Sequence, residues 1–189
     1  MEEGWSRFAR AQAHPGPDTR RAQQSRAGTS VFTGWSNARQ RESDGTVKLW
    51  EVARGTPRET VSVSSRISGL VWSPNGRYLA SGELDRSFWV WDVDQHKQRT
   101  TFYGRMAPVR TLAFSPDSRT LDTAYEDGGM QVLDMTTGQC IRSWQAFARS
   151  VSDVTWSPNS AQIASGGNDG LVTIWDVAQH VPLHLLRGH

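Results

Sequence analysis

The sequence predicts an all-β fold built from repeated four-stranded antiparallel sheets, and three recurring features of the 189-residue chain support this prediction. An aromatic residue followed by Ser-Pro recurs at a fixed spacing, and so does a Trp-Asp or related pair. An acidic residue recurs between these two motifs, at a predicted hairpin turn. Such regular spacing indicates one structural unit used several times along the chain.

The stretch from residue 154 to residue 176 shows what the unit contains. Val154–Trp156 alternates like a strand, and Ser157–Ser160 has the composition of a turn. Gln162–Ser165 is a second short strand, Gly166–Gly170 can turn tightly, and Leu171–Asp176 is a third strand. Three short antiparallel strands cannot bury both faces alone, so the unit requires neighbouring sheets.

Those neighbours lie upstream in the chain at a period close to 42 residues. The aromatic residues before Ser-Pro are Trp72, Phe114 and Trp156; the strand-ending pairs begin at Trp50, Trp91, Leu133 and Trp175; the turn acids are Asp44, Asp85, Asp127 and Asp169. A period of this length with four strands in each repeat is typical of a β-propeller blade.

On these motifs, residues 43–189 resemble the WD-repeat β-propeller family over about three and a half repeats. The resemblance implies a partial β-propeller of four-stranded antiparallel blades, preceded by an irregular N-terminal tail. The predicted strands are Thr46–Trp50 and Glu59–Val63 in blade one; Ile67–Ser73, Tyr78–Ser81, Phe88–Asp92 and Gln98–Phe102 in blade two; Val109–Ser115, Thr120–Tyr125, Met130–Asp134 and Cys140–Trp144 in blade three; and Val151–Ser157, Gln162–Ser165, Leu171–Asp176 and Pro182–Leu186 in blade four.

Residues 1–42 carry the positive charge of the chain and lack strand periodicity. They hold seven Arg, no Lys and four acids, whereas the remainder holds fourteen basic and fifteen acidic residues. We therefore expect an irregular Arg-rich tail over 1–42 and the propeller segment over 43–189. A mitochondrial presequence fits the tail's composition, but Glu2 and Glu3 argue against it. The basic charge says little about nucleic-acid binding by the fold itself.

Residues 31–42 take the place of the first two strands of blade one, and we hypothesise that they are a repeat read in a shifted frame. One coding of Phe32–Glu42, shifted by one base, reads Ser-Pro-Asp-Gly-Gln-Thr-Leu-Ala-Ser-Gly, close to the segments that begin at Ser73 and Ser157. The aromatic residue and the turn acid are 13 residues apart in the other blades but 12 apart between Phe32 and Asp44. Codons in the gene that are incompatible with the shifted reading would refute this hypothesis.

Several other chemistries find no support in the sequence. The single cysteine, Cys140, precludes an internal disulfide and favours a reducing compartment, which we take to be the cytoplasm. His180 and His184 have the spacing of a helical metal pair, but they lie at a predicted strand that contains Pro182, and a strand does not bring residues i and i+4 together, so no metal site is predicted. No phosphate loop, nucleophile elbow, cofactor motif or membrane-length apolar run occurs in the sequence. We therefore expect a protein that is not an enzyme.

The family resemblance implies a structural hydrogen-bonded tetrad in each blade, made by the turn Asp, a Ser or Thr, the Trp and a loop His. The matching residues are Asp85, Ser81 and Trp91 in blade two; Asp127 and Thr123 in blade three; and Asp169, Ser165 and Trp175 in blade four. Leu133 replaces the Trp of blade three, and the His positions fall on Val63, Arg105 and Phe147. Because a lost buried hydrogen bond is worth about 1 kcal/mol, we expect blade three to be the weakest.

The resemblance also implies that partners bind at the edge carrying the turns between second and third strands and the inter-blade loops. The candidate partner-binding residues there are Arg66, Leu84, Arg105, Met106, Glu126, Arg149 and Asn168. Loops on a rigid scaffold often form binding surfaces, and Arg is a common interface anchor. The alternative is that these are ordinary solvated loop residues. Trp89 either packs between blades or contacts a partner.

The sequence thus favours a non-catalytic scaffold for protein–protein interaction. A second interpretation is a fragment of a larger signalling or regulatory WD-repeat protein whose effector domain is missing. A third is nucleic-acid binding through the basic tail, which would be salt-dependent and lost on deletion of residues 1–42. Three and a half blades cannot close a ring, so we also expect self-association through the uncovered faces of the end blades.

Overall fold

All the elements assigned in the described residues are β-strands, as the sequence predicts. The structure is a computed structural model, and it describes residues 29–30, 46–51, 56–63, 65–103, 105–179 and 181–187. The strands are β1 (Thr29–Ser30), β2 (Thr46–Glu51), β3 (Thr56–Ser62), β4 (Ile67–Trp72), β5 (Tyr78–Glu83), β6 (Ser87–Asp92), β7 (Lys97–Tyr103), β8 (Val109–Phe114), β9 (Thr120–Tyr125), β10 (Gly129–Asp134), β11 (Cys140–Gln145), β12 (Val151–Trp156), β13 (Gln162–Gly167), β14 (Leu171–Asp176) and β15 (Val181–Arg187).

Three sheets are four-stranded antiparallel meanders, which we number as blades two, three and four. They contain β4 to β7, β8 to β11 and β12 to β15, and a further sheet of order β1-β2-β3 forms blade one. The first strands of blades two, three and four begin at Ile67, Val109 and Val151, 42 residues apart. Strand β8 lies against both β4 and β12, so successive blades are neighbours along their first strands. This arrangement confirms the predicted partial β-propeller.

The Ser-Pro motif forms a turn in which the serine hydroxyl both accepts and donates a hydrogen bond. The Oγ atoms of Ser73, Ser115 and Ser157 accept hydrogen bonds from the amides of Tyr78, Thr120 and Gln162, at 2.8, 3.0 and 2.9 Å. The same hydroxyls donate to the side chains of Asn75, Asp117 and Asn159, at 2.7, 2.6 and 2.7 Å. This local network explains why the motif recurs before each second strand.

In the part of the chain that the structure describes, the apolar core consists of three clusters, one between each pair of successive blades. The cluster between blades one and two contains Leu49, Leu79, Trp89 and Val93, and the cluster between blades two and three contains Phe88, Val90, Leu121 and Leu133. The cluster between blades three and four contains Met130, Val132, Ile163 and Trp175. Because blades two and three each bury both faces against a neighbouring blade, the sheets stabilise one another in series. Of the two roles considered for Trp89, the structure shows packing between blades.

Two features differ from the sequence-based expectation. The pair Thr29–Ser30, within the predicted tail, forms a short strand opposite Trp50 and Glu51. Thr56 begins strand β3 instead of belonging to the preceding turn. Predictions for residues 1–28, 31–45, 52–55, His180 and residues 188–189 lie outside the described residues. Among the residues that are described, no helix is long and apolar enough to cross a membrane.

Candidate partner-binding edge

The hairpin turns between the second and third strands are tied to the preceding inter-blade loops in the same way in three blades. The amide of Leu84 donates to the carbonyl of Arg66 at 2.9 Å, and the amides of Glu126 and Asn168 donate to the carbonyls of Pro108 and Ser150 at 3.0 Å each. These bonds bring the turns at 84–86, 126–128 and 168–170 beside the loops at 65–66, 105–108 and 146–150. We call this set of turns and loops the loop edge.

All seven predicted partner-binding residues lie on the loop edge. Six of them are exposed, namely Arg66, Leu84, Met106, Glu126, Arg149 and Asn168. Leu84 is 39% exposed and Met106 is 84% exposed, so two large apolar side chains on this edge are open to contact. The turns themselves are rigid, because Asp85, Asp127 and Asp169 each accept a hydrogen bond from the amide two residues ahead, at 3.0, 2.9 and 3.1 Å.

Arg105 is the exception, because its side chain is half-buried and engaged within blade three. Its guanidinium forms an ion pair with Asp127 at 2.9 Å and donates to Oε1 of Gln145 at 2.6 Å. A Cβ atom at Gly129 would lie 2.0 Å from Nε of Arg105, so only glycine leaves room for this arrangement. Arg105 therefore stands at the position of the family's loop His and forms an ion pair with the turn acid, Asp127. The sequence signals for this ion pair were the Arg at the family's His position and the glycine at position 129.

In blade two the predicted Ser81–Trp91 hydrogen bond is not formed. Trp91 Nε1 donates instead to Oε2 of Glu59 in blade one, at 3.1 Å. The Oγ atom of Ser81 is buried and has no hydrogen-bond partner among the described residues. Ser81 pairs across the sheet with Trp89, whose bulky indole occupies the space beside it and donates to the fully buried Glu83 at 2.7 Å. Trp89 therefore displaces the bond that the family pattern assigns to Trp91.

Blade four forms the predicted bond between Trp and Ser. Nε1 of Trp175 donates to Oγ of Ser165 at 2.7 Å, and both residues are buried. Ser165 pairs across the sheet with Thr173, which is small enough to leave the indole a clear approach. The residue opposite the Ser therefore differs between blade four, which forms the bond, and blade two, which does not.

Blade three, which lacks the Trp, has a different polar chain. Oγ1 of Thr123 donates to the hydroxyl of Tyr125 at 3.2 Å, and that hydroxyl donates to Oε1 of Gln131 at 2.7 Å. Burial raises the pKa of Tyr125 to about 12. Tyr125 therefore stays neutral at physiological pH and acts as a structural hydrogen-bonding group.

Asp122 is a buried acid that the sequence analysis did not single out. It lies on strand β9 between Ala113 and Val132, and neither carboxylate oxygen has a hydrogen-bond partner among the described residues. Burial raises the pKa of Asp122 well above its ordinary value, against a weaker opposing effect of the Thr123 amide. The sequence signal for this buried acid was its place in the repeat, because the equivalent residues in blades two and four are alanines, Ala80 and Ala164.

The described part of the chain shows no arrangement suited to metal binding. No group of three or more His, Cys, Asp and Glu side chains within it could hold a metal ion. His184, one member of the spaced pair considered above, is an exposed residue of strand β15.

Comparison with known proteins is consistent with this geometry. Residues 55–92 and 138–176 match the family described as WD domain, G-beta repeat. The chain is 32% identical over 142 residues to cell division cycle 20.1, cofactor of APC complex, of Arabidopsis thaliana, an alignment covering 70% of this chain and 30% of that protein. It is 25% identical over 146 residues to meiotic fizzy-related protein 1 of Schizosaccharomyces pombe, covering 76% of this chain and 34% of the relative.

A third relative is THO complex subunit 3 of Arabidopsis thaliana, 26% identical over 132 residues, which cover 67% of this chain and 42% of the relative. The chain thus spans between 30% and 42% of the length of these curated relatives. With its 42-residue period, its four-stranded blades and these matches, the chain belongs to the WD-repeat family.

Proposed function

We propose that this protein is a non-catalytic scaffold that binds another protein at the loop edge. The observation that carries the proposal is the exposure of Leu84 and Met106 on turns and loops that the blades hold rigidly. Two relatives are named as a cofactor and as a subunit of complexes, which supports assembly with proteins. Under this proposal, residues 43–189 are the binding segment, and the unpaired Cys140 supports a reducing compartment such as the cytoplasm.

Site-specific photocrosslinking tests where a partner binds. The photoreactive residue p-benzoylphenylalanine is placed at Met106 on the loop edge or at Gln95 on the opposite edge, both exposed. We expect discrete crosslinked proteins, identified by mass spectrometry, from Met106 and a much weaker yield from Gln95. Equal yields at the two positions would refute binding at the loop edge.

We also propose that the isolated chain self-associates through blade four. The outward side chains of Val172 and Ile174 are half-buried, whereas their counterparts in blades two and three, Phe88, Val90, Met130 and Val132, are buried by the next blade. An apolar sheet face of this kind is stabilised by a second copy of the chain.

Analytical ultracentrifugation distinguishes this association from nonspecific aggregation. We expect a concentration-dependent oligomer that Ile174→Lys shifts towards monomer, because a charge would be buried at the contact. The matched control is Leu84→Lys, which changes an exposed apolar residue of the loop edge and should leave the oligomer unchanged. A wild-type monomer across the micromolar range would contradict the proposal.

A further inference from the structure

The turn of blade two departs from its two counterparts at a conformationally demanding position. Arg86 has a φ of 79°, and the equivalent residues of blades three and four are Gly128 and Gly170, with φ of 84° and 77°. Glycine adopts this left-handed region freely, whereas a residue with a Cβ atom is strained there. Blade two therefore holds an arginine where the turn geometry favours glycine, and the side chain is exposed.

The same turn also presents an apolar residue where its counterparts present polar ones. Leu84 occupies the position of Glu126 and Asn168 and is 39% exposed. The preceding strand lies close to the first strand of blade three, because a Cβ atom at Gly82 would meet the Val109 side chain at 2.6 Å. Exposed Met106 lies in the loop just before Val109, so the two apolar side chains are carried by adjoining parts of the edge.

The charges around these residues favour an acidic partner. Arg86 and Arg66 are exposed, and neither has an ion-pair partner among the described residues. Their exposed neighbour Asp85 is held in its own turn by hydrogen bonds from the amide and hydroxyl of Ser87, at 3.0 and 2.6 Å, and the two arginines outnumber its single negative charge. Glu126 is exposed on the turn of blade three, so it would repel an acidic segment that extended from blade two onto blade three.

Resting on the proposed function, we infer that Arg66, Leu84, Arg86 and Met106 form an anchor for an extended acidic segment of a partner protein. Carboxylates of the segment pair with the guanidinium groups of Arg66 and Arg86, which present several donors in a planar fork. An apolar side chain between the carboxylates packs on Leu84 and Met106. Strained residues persist where function uses them, which gives the unusual φ of Arg86 a physical reason.

The test uses the full chain and the fluorescent peptide Glu-Asp-Glu-Leu-Phe-Glu-Asp-Glu, with binding followed by fluorescence anisotropy. Two counterpart peptides replace the acids with lysine or replace Leu-Phe with Ser-Ser. We expect the acidic apolar peptide to bind most tightly and Arg86→Gly to weaken its binding about tenfold, as for loss of one charge-assisted pair. Arg86→Lys should weaken it less.

Arg86→Gly should at the same time raise the urea midpoint of unfolding, because it relieves the positive φ. Ser160→Gly is the matched control, since Ser160 also has a positive φ, 58°, on the opposite edge, where Gly76 is its counterpart in blade two. We expect Ser160→Gly to raise the urea midpoint without changing peptide binding. This pairing separates relief of strain from loss of a contact.

Unchanged peptide binding in Arg86→Gly, or equal binding of the three peptides, would overturn the inference. Tighter binding of a single-stranded DNA oligonucleotide than of the acidic peptide would also overturn it, by assigning the arginines to nucleic acid. If Met106 crosslinks a protein while the peptide does not bind, the inference fails and the proposed function stands. If crosslinking is also equal on both edges, both fail.

Discussion

Asp122→Ala is expected to raise the free energy of unfolding by about 1–3 kcal/mol. This is the cost of a buried polar group without a partner, and it applies even when the carboxyl group is protonated. Asp122 is fully buried and both of its oxygens lack hydrogen bonds among the described residues. Ala80 and Ala164 occupy the equivalent positions, so the blade geometry accommodates alanine there. A void of carboxyl size, about 30 Å³, would offset only about 0.7 kcal/mol.

The benefit of Asp122→Ala should grow with pH. The folded-state pKa of Asp122 is raised well above the ordinary value of 3.8 by burial, so the folded state holds a proton that the unfolded state has released. Wild-type stability therefore falls as pH rises from about 4 towards the raised pKa, and it is unaffected by this group below about 4. The Asp122→Ala variant lacks this carboxyl group, so its stability does not fall with pH for this reason.

Urea unfolding followed by tryptophan fluorescence at mildly acidic and at neutral pH measures the effect. Asp122→Asn is a control that removes the titration but keeps an unpartnered polar group, so it should flatten the pH dependence with a smaller gain. Asp134→Ala should behave oppositely, because backbone hydrogen bonds from Thr137 and Thr136 lower the pKa of Asp134 and stabilise its charged form above that pKa. No gain for Asp122→Ala at neutral pH would show that the group is solvated.

The repeat architecture could be predicted because its determinants are local in sequence. The hydroxyl of Ser73 bonds to groups two and five residues away, and the turn acid Asp85 bonds to the amide two residues ahead. Interactions of such short range recur whenever the same residues recur. The blades were therefore accessible from the repeat spacing, and the family resemblance that this spacing carries implied the strand order and the residues of the loop edge.

Side-chain partners that are distant in sequence could not be predicted in the same way. Trp91 reaches Glu59, 32 residues away, because Trp89 occupies the space beside Ser81. Arg105 reaches Asp127 because Gly129 leaves room above the sheet. Such pairings depend on the shape of three or more neighbours at once, which a family pattern of single positions does not contain.

The predicted weakness of blade three remains to be tested against two opposing features. Arg105, Tyr125 and Gln131 supply polar contacts that the tetrad pattern did not include. Asp122, in contrast, adds an unpartnered acid to the same blade. Asp122 is expected to have the larger effect on the stability of blade three. Ion pairs near the surface contribute at most about 1 kcal/mol, whereas a buried carboxyl group without a partner costs about 1–3 kcal/mol.

Trp175→Ala should lower the free energy of unfolding by about 3–5 kcal/mol, the range for emptying a large buried aromatic site. Trp175 is buried in the cluster between blades three and four, and its ring meets Trp144 edge to face with centroids 5.6 Å apart. The substitution also removes the donor to Ser165, which leaves the buried hydroxyl of Ser165 without that partner. Trp91→Ala should cost less, because Trp91 is only half-buried.

Chemical denaturation of matched variants separates packing from hydrogen bonding at this site. Trp175→Phe keeps most of the ring contact and loses the Nε1 donor, so it should cost about 1 kcal/mol plus a small packing loss. Leu133→Ala, at the equivalent position of blade three, should cost about 2–4 kcal/mol, since a leucine fills less volume and has no hydrogen bond to lose. We expect the Trp175–Ser165 pair to stabilise blade four more than the equivalent residues stabilise blades two and three. Equal losses of unfolding free energy for Trp175→Ala, Trp91→Ala and Leu133→Ala would contradict this expectation.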